Sequence, residues 1–220
     1  MNFKLEKNGE AIGLFASDGA LIDAVTFGPQ TNNVSQGRSP DGFGPIYFLP
    51  TPTPRAANQG PVQTVTGQVE LDGFVGPAHD GTGTRLVTLK ATDDAGSILH
   101  QWSLPLNFAR VTASASVASF TLPDVPLGAT HLSAKTAWNL RKRLLLNFSG
   151  GQASADFTGV SRLPGGDIDG SNQVDLADFT QLSAFWYTTD AASDINASGL
   201  VDIEDYFILA SRWYQGGDAE

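Results

Sequence analysis

Twice near its C-terminus the chain runs through the same twelve-residue pattern. Residues 167–178 read Asp-Ile-Asp-Gly-Ser-Asn-Gln-Val-Asp-Leu-Ala-Asp, and residues 194–205 read Asp-Ile-Asn-Ala-Ser-Gly-Leu-Val-Asp-Ile-Glu-Asp. The stretches that follow, 179–187 and 206–214, also correspond, each with Leu at its fourth place and ending in Trp-Tyr. Recurrence at a fixed offset over more than twenty residues is the mark of a duplicated structural unit. The charge falls with the duplication. Residues 165–220 hold eleven acidic side chains and one basic one, Arg212, whereas the preceding 164 residues are balanced. The whole net charge of −10 therefore belongs to the repeat, which is either a solvated acidic arm or a fold built around something positive.

The spacing decides for the second reading. Oxygen-bearing side chains fall at places 1, 3, 5, 9 and 12 of each unit, the pattern of a calcium loop, because a hard cation gathers six to eight oxygens on a curved backbone. The candidate ligands of the first loop are Asp167, Asp169, Ser171, Gln173 (through its carbonyl), Asp175 and Asp178. Those of the second are Asp194, Asn196, Ser198, Leu200 (carbonyl), Asp202 and Asp205, giving two Ca²⁺ in all. Place 6 asks for positive φ, which Gly199 meets fully and Asn172 next best. Val174 and Val201, at place 8, are expected to anchor the loops. With four side-chain carboxylates against three, the first loop is expected to bind somewhat tighter, with Asn172 working in the opposite direction. Folding of this region and metal binding are expected to be one event.

No helix is expected before either loop, since Leu163-Pro164-Gly165-Gly166 cannot be helical and residues 188–193 are short and polar. After each loop a helix is expected, with Leu176, Phe179, Leu182 and Trp186 on one face and Ile203, Tyr206, Leu209 and Trp213 on the other's matching face. Trp186 and Trp213 read as core on these faces. Over about residues 164–218 this pair of loop–helix units resembles the dockerin module, with Asp at place 12 of each loop. The resemblance implies calcium-dependent docking onto a cohesin-type protein domain, and a place on secreted, polysaccharide-degrading or other extracellular proteins. The partner-specificity positions it implies, just after place 9, are Leu176-Ala177 and Ile203-Glu204, unlike the Ser-Thr pair of well-known cellulosomal examples. Phe207 and Ile208, off the tryptophan faces, are expected either to join that docking surface or to pack on the neighbouring sandwich.

The remaining chain reads as β. In residues 1–60, strands are expected at Phe3-Lys4-Leu5, Ala11 to Phe15, Leu21 to Phe27 and Ile46 to Leu49, with a hairpin at Asp18-Gly19, a turn at 37–42 and a proline-punctuated exit from Thr51. Gly9-Glu10-Ala11-Ile12, Asp18-Gly19, Val25-Thr26-Phe27-Gly28, the 37–42 turn and residues 51–58 make this segment similar to the C-terminal half of a bacterial lamin-tail domain, an immunoglobulin-like sandwich. The family's opening strands precede the matched part, so the chain is expected to be the C-terminal portion of a longer protein, or its start misassigned. No catalytic centre comes with that family. Residues 61–162 carry seven short strand-like runs between turn signals, the arrangement of a β-sandwich, and resemble the β-domains that adjoin dockerins. The expected fold is thus mainly β with a small α C-terminal module: immunoglobulin-like β-sandwich domains (1–60 and 61–162) followed by a two-helix, EF-hand-like dockerin (163–220).

No catalytic constellation stands out. Zero cysteines exclude thiolate chemistry and disulfides. His79, His100 and His131 form no zinc motif, and no Gly-x-Ser-x-Gly elbow or phosphate loop is present. His79 reads as a hydrogen-bonded turn residue, Asp93-Asp94 as turn acids, and Arg141-Lys142-Arg143 as a solvated strand rather than an anion site. An acidic chain is a poor ligand for nucleic acid, and no stretch of 18 apolar residues would span a membrane. The expectation is a non-catalytic, calcium-dependent attachment module that works outside the cell or at its surface. Any polysaccharide would be met only indirectly. The alternatives are an ancillary part of an extracellular glycoside hydrolase and a purely structural stalk stiffened by calcium.

Overall fold

Asp18 and Gly19 turn the chain back on itself: Gly19 takes φ of 87°, and the Asp18 carboxylate accepts the Ala20 N–H at 2.9 Å. The strands on either side, β1 (Glu10–Phe15) and β2 (Leu21–Phe27), pair antiparallel from Glu10 opposite Phe27 to Phe15 opposite Leu21. The computed structural model describes residues 4–39, 41, 46–49, 52–58, 62–112 and 115–220. The chain divides into two units, Met1–Pro61 and Val62–Glu220. In the first, β3 (Ser35–Arg38) pairs with β4 (Ile46–Leu49), so part of the expected 37–42 turn is strand. Phe3 of the expected first strand, Pro40 and Gly42 of the turn, and Thr51 of the exit lie outside the described residues, and Lys4 and Leu5 are not in a strand. Leu49 is the one fully buried apolar side chain among this unit's described residues, while Ile12, Leu14, Phe15, Leu21 and Ile22 lie exposed.

The second unit is built on one seven-stranded sheet in the order β10-β9-β6-β7-β8-β5-β11. Its strands are β5 (Val62–Glu70), β6 (Gly83–Thr92), β7 (Ile98–Thr112), β8 (Ala115–Pro126), β9 (His131–Lys135), β10 (Lys142–Leu145) and β11 (Gln152–Phe157). All neighbours run antiparallel except β5 and β11. The long β7 joins the two halves. Its first part pairs with β6 and its last residues with β8, and side chains from both halves close on one core that includes Val65, Val87, Leu106, Phe120, Leu132 and Phe157. β7 thus runs on through Pro105. Pro105 stands opposite Leu86 where β7 is paired on one edge only, the kind of place in which a strand accommodates proline.

Two nine-residue helices follow, α1 (Leu176–Ala184) and α2 (Ile203–Ser211). Around them lies a second core of Leu140, Ile168, Val174, Leu182, Ile195, Val201 and Leu209, flanked by Phe179, Trp186, Tyr206 and Trp213. Phe179 meets Tyr206 and Trp213 edge-on, with centroids 6.0 and 6.3 Å apart, an arrangement favoured by the ring quadrupoles. Both tryptophans therefore pack at this core, as their spacing suggested. Leu176 and Ile203 do not: they are 65% and 47% exposed, because each sits in the first turn, before the helix reaches the core.

The helical segment does not stand apart from the sheet. Leu140 and Trp138, on the β9–β10 connection, belong to the second core. Leu163 donates to the Glu70 carbonyl at 3.0 Å, Leu140 to Pro164 at 2.8 Å, and Gly166 to Trp138 at 2.9 Å. Asp72 takes Arg162 at 2.9 Å and Arg212, at the end of α2, at 2.7 Å. Sandwich and loop–helix segment form one unit, with no break in packing at residue 162.

Candidate metal centre

At place 12 the two loops are bonded alike. In the first, one oxygen of Asp178 accepts the N–H groups of Ile168 and Asp169 at 2.8 and 3.1 Å, and the other accepts Asp175 at 2.9 Å. In the second, Asp205 accepts Ile195, Asn196 and Asp202 at 2.8, 3.1 and 2.9 Å. Place 12 thus ties together the start of its loop, the end of its loop and the helix. The same carboxylate completes a capping box, with Asp175 and Asp202 as N-caps. Place 5 repeats as well, Ser171 donating to the Gln173 carbonyl at 3.2 Å and Ser198 to Leu200 at 3.0 Å.

The loops are then cross-tied. Val174 donates to Gln215 at 2.9 Å and accepts from Tyr214 at 2.8 Å; Val201 donates to Thr188 at 2.8 Å and accepts from Tyr187 at 2.9 Å. Each place-8 valine, fully buried, pairs with the backbone just after the other unit's helix. The duplicated units therefore hold each other by a pseudo-twofold exchange of bonds, and neither could close its core alone.

Asp167, Asp169 and Asp178 bring ligand oxygens within 4.8 Å of one another. Asp167 and Asp178 are fully buried. Burial pushes the Asp178 carboxyl above the ordinary carboxylate value, against the pull of its three backbone N–H partners and with help from the neighbouring Asp169 charge. Asp205 is raised for the same first reason, with Asp194 as the adjoining charge. Carboxylates this close, two of them buried and Asp169 exposed, repel each other, and an all-oxygen donor set is what a hard cation such as Ca²⁺ takes. The residues present fit that ion.

Not every expected ligand joins this group. Asp175 and Asp202 turn their carboxylates to the helix ends, accepting Ala177 at 2.7 Å and Glu204 at 2.8 Å. The competing demand is the helix N-terminus, whose unpaired N–H groups attract the nearest carboxylate. Asn172, φ 67°, has a second role beyond its backbone: it accepts the Arg141 N–H at 2.8 Å and donates to the Asp218 carbonyl at 3.2 Å. Gly199 takes φ of 91° as expected, but Gly170 and Ala197, at place 4, are also left-handed, which the spacing did not suggest.

Among the expected partner-facing residues, Leu176, Ala177, Ile203 and Glu204 lie on exposed first turns. Glu204 also accepts the Asn196 side-chain amide at 3.1 Å, so it serves its own loop. Phe207 is 62% exposed, whereas Ile208 is half-buried and so close to Gly73 and Gly165 that a Cβ on either would meet it at 2.4 or 2.5 Å. The pair splits: Phe207 faces out, and Ile208 packs on the sandwich.

Two side chains that sequence reasoning passed over complete the picture. The guanidinium of Arg85 on β6 donates to the carbonyls of Asp194 at 2.9 Å and Ile195 at 3.5 Å. The ammonium of Lys135 on β9 donates to the Asn139 carbonyl at 3.2 Å and to the Asp167 carboxylate. The basic stretch 141–143 is not the free, solvated strand expected of it. Arg141 pairs with Glu220 at 2.6 Å, Lys142 lies 3.8 Å from the Asp218 carboxylate, and the Arg143 N–H donates to that carboxylate at 2.8 Å. The acids it meets are the chain's own, nearly eighty residues later. The histidines show no shared site: His79 is exposed in its turn, His100 lies against Trp102 with ring centroids 4.5 Å apart, and His131 bonds Thr130 at 2.9 Å.

No family model matches this chain, and no curated protein matches it. Among solved structures it is similar to a chain of the type II cohesin–X–dockerin complex of Acetivibrio cellulolyticus in an N-terminal interface mutant, at a TM-score of 0.46 and 17% identity, covering 70% of this chain and 97% of that one. A C-terminal interface mutant of the same complex gives 0.44 and 18%, with the same coverage. At these values neither likeness bears on function. Among the described residues, no helix is long and apolar enough to cross a membrane.

Proposed function

We propose that residues 164–218 are a dockerin-type module that holds two calcium ions and attaches the chain to a cohesin-type protein domain outside the cell. The observation that supports this best is the equivalence of the two loops, in which Asp178 and Asp205 receive the same three backbone N–H groups at matching distances. Asp167, Asp169 and Asp178, with Ser171 and the Gln173 carbonyl, would hold the first ion; Asp194, Asn196, Ser198, Asp205 and the Leu200 carbonyl would hold the second. Calcium supplies the positive charge that buried carboxylates lack. Asp175 and Asp202 keep the helices capped, and the exposed residues at 176–177, 203–204 and 207 present the face a partner would meet. Extracellular calcium modules work near ~10⁻⁴–10⁻³ M, which suits a chain acting outside the cell. On this reading the chain is not itself an enzyme.

A second reading has one feature in its favour. Asp72 clamps Arg162 and Arg212 together, so the loop–helix segment is braced on the sandwich as a rigid stalk would be. Calorimetry and thermal melting, with calcium in the millimolar range and then with chelator, separate these cases. Binding heat and a higher melting temperature, together with calcium-dependent capture of a cohesin-type domain, are expected. Calcium binding without such capture favours the stalk, and a flat titration with unchanged melting removes the calcium reading altogether.

A further inference from the structure

The β-sandwich sends one cation to each loop, and the two do different things. Arg85 binds backbone carbonyls of the second loop, so it steadies that loop from outside the oxygen cage. Lys135 binds a carboxylate within the cage of the first: Asp167, at place 1, fully buried, belongs to the cluster with Asp169 and Asp178. Its placement is built. Lys135 ends β9, and its ammonium also donates to Asn139 across the turn that follows. That turn is fastened by Thr136 to the Asn139 side chain at 2.5 Å and by Asn139 to the Leu163 carbonyl at 3.0 Å. The bond from Gly166 to Trp138 then delivers Asp167 to the lysine at the next residue.

Resting on the calcium reading above, we infer that Lys135 is a resident counter-cation of the first loop. Its ammonium neutralises Asp167 while that loop is metal-free and withdraws when a divalent cation enters. A like charge a few ångströms from the ion lowers its affinity even in a watery dielectric by about tenfold, and more where water is excluded. Arg85, the cation beside the second loop, lies near the charges of Asp194 and Asp205 but bonds only backbone carbonyls, so no carboxylate of that cage has to be released before an ion enters. The order expected from carboxylate count is therefore reversed: the second loop fills first. The sandwich, through Lys135, sets the calcium threshold of the first loop and holds that loop together below the threshold.

Site-resolved calcium titration of the full chain by NMR tests this, with the amides of Gly170 and Gly199 reporting the first and second loops. In the wild type, Gly199 should shift at lower calcium than Gly170, and a protected lysine ammonium signal should disappear as Gly170 shifts. In Lys135→Met, loop-one affinity should rise about tenfold or more while loop-two affinity holds. Without metal, this variant should melt below the wild type. Gly170 shifting first in the wild type, or a persistent ammonium signal at saturation, overturns the inference without need of a folded variant. So does unchanged or weaker loop-one affinity in both Lys135→Met and Lys135→Gln. If neither glycine responds to millimolar calcium, it is the calcium reading that falls.

Discussion

The guanidinium of Arg85 lies over the indole of Trp138, 3.6 Å from the ring centroid, while donating to the carbonyls of Asp194 and Ile195. Trp138 in turn donates its indole N–H to the Ala191 carbonyl at 3.0 Å. The pair pins the start of the second loop and the residues just before it to the sandwich. Burial pulls the Arg85 pKa down to about 10, partly restored by the charges of Asp194 and Asp205, so it remains a cation at neutral pH. Arg85→Lys keeps the charge but loses the flat stacking surface and the fork of donors. It should cost about 1–3 kcal/mol in urea unfolding monitored by tryptophan fluorescence. A lysine variant as stable as wild type would mean that the stack contributes nothing beyond its charge.

Asp178 and Asp205 give the metal-free protein a definite pH response. Their carboxyls are raised by burial above the ordinary 3.8, so the folded chain holds these protons more tightly than the unfolded chain does. Their contribution to stability therefore falls as pH rises, starting near 3.8 and complete once the raised values are passed. Calcium competes with the same protons, so its binding should strengthen across that window. Carboxyl-carbon NMR titration of the chelated protein should place both midpoints above 3.8; midpoints at or below it contradict the burial argument.

Asn172 should be better than glycine where it stands. Glycine would remove the small strain of φ at 67°, but it would also remove the bonds to the Arg141 N–H and the Asp218 carbonyl. Leaving the Arg141 N–H unpaired outweighs the gain, so Asn172→Gly should lose about 1–2 kcal/mol in chemical denaturation of the metal-free chain. A more stable glycine variant would show that conformational freedom governs this place.

Phe207 and Ile208 should separate two functions that adjacent apolar residues often share. Ile208→Ala opens a gap against Gly73 and Gly165 and should lower stability by about 1–3 kcal/mol, less than a fully buried isoleucine would. Phe207→Ala should leave melting within about 0.5 kcal/mol of wild type and weaken capture of a cohesin-type domain. Destabilisation by the phenylalanine change, with capture intact, would remove Phe207 from the proposed docking face.

The strands and loops were legible in the sequence because their signals are local. Alternation marked β1 and β2 nearly to their ends, and Asp18-Gly19 fixed a hairpin that the structure closes in the expected place. The twelve-residue spacing identified Asp167, Asp169 and Asp178, which the fold does bring together. Where local rules competed, the reading slipped. Alternation says little across Pro105, because a proline's effect depends on which strand edge is occupied, and the loop spacing of Asp175 did not show that its carboxylate also caps α1.

By itself the sequence determined the twin oxygen-lined loops, the helices behind them and a β-rich remainder, since each depends on residues a few places apart. Only the tertiary structure decided which charges meet. Lys135 reaches Asp167, Arg85 reaches Asp194, Asp72 joins Arg162 to Arg212, and the 141–143 bases meet Asp218 and Glu220. The Lys135, Arg85 and Arg212 pairings and those of the 141–143 bases span thirty to one hundred and forty positions of chain, and no periodicity encodes them. They exist because a folded sheet carries distant strands to one surface, where an exposed ion pair would count for little but a buried one has to be matched.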